Sequence, residues 1–90
     1  MELYEIKNGL DKAHLLIDEY RKSAQIDEKL REIEGLSYQT MQDGFWDDPT
    51  KAKKIYDELN DMKKITDEYE NLCQSLNLLD ETYTLVKETD

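Results

Sequence analysis

Asp43-Gly44-Phe45-Trp46-Asp47-Asp48-Pro49 is the stretch whose reading decides the fold. It holds the chain's one Trp, one Phe and one Pro, and one of its three Gly. Gly44 suits a left-handed residue just past a helix end, because it has no Cβ to clash there. Asp48 can accept a bond from a free N–H of the next helix, and Pro49 pre-sets φ at that helix's first position. Asp47 and Asp48 also face the positive end of its dipole. Between these stop and start signals lie Phe45 and Trp46, each worth about 1.5–3 kcal/mol if buried. Gly44, Phe45, Trp46, Asp48 and Pro49 therefore read as a hydrophobic corner that pins the turn against neighbouring helices. A Trp46 that stacks on a ligand is the alternative.

Outward from the corner, the apolar residues recur at helical spacing. A first helix is expected over about residues 2–22, with Leu3, Ile6, Leu10, Ala13, Ile17 and Tyr20 in steps of three and four. Leu16 widens that stripe. Ser23-Ala24-Gln25 reads as a turn, and Asp27 as the cap of a second helix over about 27–42. Its stripe, Ile26, Leu30, Ile33, Leu36 and Met41, is less regular, with Gly35 and Ser37 softening its centre and Gly44 ending it. The third helix, about 49–78, is the most regular: Ala52, Ile55, Leu59, Met62, Thr66, Tyr69, Cys73 and Leu76 keep the spacing, flanked by Ile65, Leu72 and Leu79. Around Ser75–Asp80 the pattern breaks, and Asp80 reads as the cap of a short fourth helix over about 81–88. The expected fold is all-α: an extended, mostly antiparallel, coiled-coil-like three-helix bundle with a short fourth C-terminal helix. Its 90 residues read as one helical domain.

Composition narrows the function. Charged residues make up 38% of the chain, the mean hydropathy is −0.90 and the formal net charge is −10. Such a surface is repelled by phosphate, so direct DNA binding and anionic membranes are disfavoured and basic proteins are favoured partners. The charge is uneven. Residues 2–48 carry 12 acids against 6 bases and residues 67–90 carry 7 against 1, while residues 49–66 carry 3 against 5. Lys53, Lys54, Lys63 and Lys64 in that basic stretch each stand four residues before an acid, which reads as a solvated, ion-paired helix face. No apolar run exceeds three residues, far short of a membrane span, and Glu2 and Glu5 have the wrong sign for a signal peptide. One cysteine, Cys73, fits a reducing, cytoplasmic setting and reads as a small core residue.

Catalytic, metal-binding and cofactor-binding constellations are not found. The one His, His14, has no second ligand nearby in sequence, and the glycines are isolated rather than gathered in a phosphate loop. Asp43, Asp47 and Asp48 lack the spacing of a calcium loop, and helix capping accounts for them.

Gly44-Phe45-Trp46-Asp47-Asp48-Pro49, followed by Lys51-Ala52-Lys53 and Glu58-Leu59-Asn60 and preceded by the opening Met1-Glu2-Leu3-Tyr4-Glu5-Ile6, resembles the amino-terminal domain of the bacterial peptide chain release factor 2 family. The aromatic pair before the acidic cap looks like that family rather than its release factor 1 sister. The resemblance implies a ribosome-docking helical domain of a larger translation-termination factor, placed at the factor-binding site near the stalk base. It implies no catalytic residues here: the family's Gly-Gly-Gln and Ser-Pro-Phe motifs have no counterpart in this chain. The expectation is a non-catalytic, monomeric module whose ribosomal contact is a basic protein. A free-standing structural coiled coil that oligomerises through its seams is the alternative.

Overall fold

The structure, a computed structural model, describes Met1–Thr89. Three α-helices account for most of it: α1, Leu3–Ser23; α2, Ile26–Thr40; and α3, Pro49–Thr89, with a 3₁₀ turn, Phe45–Asp47, before α3. The fold is all-α, a helical bundle without strands among the described residues. It forms two compact units: Met1–Ala24 with the chain from Tyr69 onward, and Gln25–Glu68. Helix α3 belongs to both.

In the first unit, α1 lies antiparallel to the last turns of α3. Tyr20 meets Tyr69 at 6.3 Å between ring centroids, and His14 Nε2 lies 2.6 Å from Asp80 Oδ2. The pairs thus run in opposite order along the two helices. The predicted seam of α1 is the covered one: Leu3, Ile6, Leu10, Ala13, Ile17 and Tyr20 are all half-buried. Leu16, expected to widen the stripe, is exposed, as is Leu15. Opposite them Leu76 is buried, and Tyr69, Cys73, Asp80 and Tyr83 are half-buried. At its start α1 is capped by Glu5, whose Oε1 accepts the backbone N–H of Glu2 at 3.2 Å.

The expected short fourth helix is not separate. Helix α3 runs unbroken from Pro49 to Thr89, through Asn77 and Asp80. Asp80 is not a cap. It occupies the next seam position after Cys73 and Leu76, where it pairs with His14, and Tyr83 continues the same line. The polar residue that looked like a boundary is an inward-facing partner.

The second unit opens on Gln25, the one non-glycine with positive φ among the described residues (φ 54°, ψ 48°). This left-handed residue lets α2 begin at Ile26, with the Gln25 carbonyl accepting from Lys29 N–H at 3.0 Å. The expected Asp27 cap is therefore replaced by a backbone device. It places Ile26, 0% exposed, directly in the interior. Ile33, Leu36 and Thr40 continue the covered line, whereas Leu30 and Met41 are exposed. From α3 come buried Ala52, Leu59 and Thr66, with half-buried Ile55, Met62 and Ile65. Thr66 is satisfied locally, its hydroxyl donating to the Lys63 carbonyl at 3.2 Å.

Candidate functional site

The corner joins α2 to α3 within the second unit. Helix α2 ends at Thr40 rather than at Gly44, and Met41–Asp48 carry the reversal. Phe45 N–H donates to the Gln42 carbonyl at 3.2 Å, and Asp47 N–H to the Gly44 carbonyl at 3.1 Å. Gly44 has φ 82°, the left-handed conformation expected of it, though four residues beyond the end of α2 at Thr40. A Cβ there would stand 3.2 Å from Asp47 Oδ2. Asp48 caps α3: its Oδ1 accepts Lys51 N–H at 3.1 Å, and its carbonyl accepts Ala52 N–H at 2.9 Å. Pro49 is the first residue of α3.

The two aromatics part company. Phe45 is half-buried, but Trp46 is 61% exposed, so it is not the buried anchor that its residue type suggested. The reason is geometric. In a 3₁₀ turn successive side chains point about 120° apart, so turning Phe45 inward turns Trp46 outward. Trp46 is still held. Its ring meets Phe45 edge-on at 4.9 Å between centroids, and Tyr56 of α3 lies 6.2 Å away.

Tyr56 is the member of this group that sequence reasoning missed. It lies outside the apolar seam, beside Ile55, so hydrophobic periodicity does not single it out. Its signal was position: two turns into a helix that starts at Pro49, it returns to the side where the corner ends. Tyr38 and Met41 near the end of α2 are also exposed. The turn also borders an open depression of about 440 Å³, whose lining includes Gln39, Gln42, Asp43, Phe45, Asp47 and Lys51.

On α3 the expected pairing of lysines with acids is present at Lys53, whose Nζ lies 2.7 Å from Asp57 Oδ2. That hydrogen bond and the Asp57 charge push the Lys53 ammonium above its ordinary value. Its charge persists but is locally matched. In the first unit His14 pairs with Asp80, and among the described residues no group of three or more His, Cys, Asp or Glu could hold a metal ion. Cys73 lies half-buried on the seam of α3. No helix of the described residues is long and apolar enough to cross a membrane. The arrangement offers an open aromatic surface beside carboxylates.

Comparison with known proteins finds relatives along nearly the whole chain. Peptide chain release factor 2 of Exiguobacterium sp. is 33% identical over 88 residues, covering 98% of this chain and 24% of the relative. Peptide chain release factor 2 of Staphylococcus aureus shows the same identity and coverage. The Staphylococcus saprophyticus protein of that name is 30% identical over 90 residues, 100% of this chain and 24% of the relative. The chain thus spans about a quarter of the length of the curated relatives it matches. No family model matches it, and no solved structure does.

Proposed function

Since the chain is a relative of the amino-terminal domain of peptide chain release factor 2, we propose that it is the ribosome-docking domain of a translation-termination factor, cytoplasmic and not itself catalytic. The observation that carries this reading is full-length similarity to one quarter of a larger factor. It agrees with the absence from the sequence of the family's Gly-Gly-Gln motif. Catalysis and codon reading then belong to other parts of the parent protein.

Charge indicates how docking works. A domain of net charge −10 approaching a ribosome is repelled by RNA over about a Debye length, roughly 8 Å at physiological salt. Its principal contact is therefore a basic ribosomal protein at the stalk base, and the isolated domain is a monomer. The test is binding of the purified chain to stalk-base protein, and separately to the naked RNA beneath it, across a salt series. Protein binding without appreciable RNA binding is expected. Lys53→Glu with Lys54→Glu should leave the affinity within a few-fold, since exposed charges are worth at most about 1 kcal/mol each. The chain should release no peptide from ribosomes halted at a stop codon. Tight binding to RNA alone, lost on the lysine reversal, or peptide release above background, would overturn the proposal.

A further inference from the structure

Trp46 and Tyr56 are large aromatics that the fold fixes and then leaves open. Trp46 is held edge-on by Phe45 at 4.9 Å and lies 6.2 Å from Tyr56, yet both remain exposed. The turn that carries Trp46 is itself constrained at both ends. Gly44 supplies the left-handed residue on one side, and the Asp48 cap with Pro49 starts α3 on the other. Trp and Tyr are the residue types that most often dominate binding energy at protein interfaces. Holding them in place beforehand removes part of the ordering cost of association.

The same turn also selects the partner. Asp43 and Asp47 line the open depression beside Phe45, with Lys51 as the one cation among its lining residues. Asp48 lines it too, but one of its carboxylate oxygens already accepts the Lys51 N–H. A second copy of this chain would bring like charge against like. RNA would meet carboxylates with its phosphates.

We infer that the Trp46–Tyr56 surface, with Asp43 and Asp47, is a docking site for a basic protein surface. The partner's apolar side chains cover the two rings, and an arginine or lysine enters the depression. An arginine would also gain from lying on an aromatic face. The choice of partner rests on the ribosomal reading above, while the choice of residues rests on the turn.

The experiment titrates purified stalk-base ribosomal protein against the chain and follows the emission of Trp46, the one tryptophan of this sequence. Association should shift that emission to shorter wavelength and shield it from acrylamide. Trp46→Ala and Tyr56→Ala should each weaken binding about tenfold or more, and Asp43→Asn with Asp47→Asn several-fold, with helicity by circular dichroism unchanged. Should a variant lose helicity, the shift and quenching of the wild-type chain decide instead. Binding that leaves the emission and quenching of Trp46 unchanged, or that both aromatic variants retain within twofold, overturns this inference while the docking reading stands. Binding of the corner to a ribosomal RNA fragment in preference to the protein overturns it as well. If the wild-type chain binds neither that protein nor intact ribosomes, the docking reading falls and takes the inference with it.

Discussion

Leu76 and Leu78 stand two residues apart on α3, in the segment where the apolar pattern suggests a helix break. The structure gives them opposite surroundings: Leu76 is 5% exposed and Leu78 is 63% exposed. Replacing Leu76 by Ala removes three carbons from a packed position, about 2.4 kcal/mol at roughly 0.8 kcal/mol per buried carbon. The residual cavity brings the expected loss to between about 2 and 5 kcal/mol. A 90-residue chain has a total stability of about 4.5–13 kcal/mol at the usual per-residue values, so the change removes a large share of it. At about 4–8 °C per kcal/mol for a domain of this size, the melting temperature should fall by at least about 8 °C. Leu78→Ala should change stability by less than about 0.5 kcal/mol. Urea and thermal unfolding followed by circular dichroism measure both. Equal losses for the two variants, or a loss below 1 kcal/mol at Leu76, would show that α3 does not hold its register through this segment.

Three further outcomes follow from the connections. Gln25→Gly should raise stability by about 0.5–1 kcal/mol in the same unfolding assay, because it relieves a side chain held at φ 54°. Asp48→Ala should lower it by about 1 kcal/mol through loss of the cap on Lys51 N–H, and Asp48→Asn should restore most of that loss. Trp46 should emit near the wavelength of free tryptophan in the folded chain. Trp46→Ala should cost about 1–2 kcal/mol, below the 3–5 kcal/mol of a buried aromatic, since most of the ring is in water.

Much of this architecture is legible in the sequence because it rests on period. Every residue of the three-and-four line on α3 from Ala52 to Leu76 is buried or half-buried, and so is every residue of the α1 line. Period fails where a seam position is polar for a reason outside its own helix. Asp80 reads as a cap because its partner, His14, lies 66 residues away. It fails again at the joints. Nothing in the residue type of Gln25 announces a left-handed backbone, yet that conformation moves the start of α2 and makes Asp27 unnecessary as a cap. At the corner, the left-handed φ of Gly44, the Asp48 cap and the helix start at Pro49 are legible because each acts on backbone within three residues of itself, although α2 stops four residues before Gly44. Trp46 is misread because hydrophobicity says how much a ring gains by burial, not which of two adjacent rings a tight turn can bury. The exposed group with Tyr56 becomes visible only once the direction of the 3₁₀ turn is known.

The thin interior has a calorimetric consequence. Among the described residues only Ile26, Ala52, Leu59 and Leu76 are fully buried apolar side chains. The heat-capacity increment of unfolding scales with apolar surface newly hydrated, about 12–15 cal/mol/K per residue in ordinary globular domains. A chain that keeps many of its leucines and aromatics wet while folded hydrates less on melting, so its increment should fall below that range. The curve of stability against temperature is then shallow. Cooling and warming around ambient temperature alter the folded population little, and the melt is broad rather than sharp.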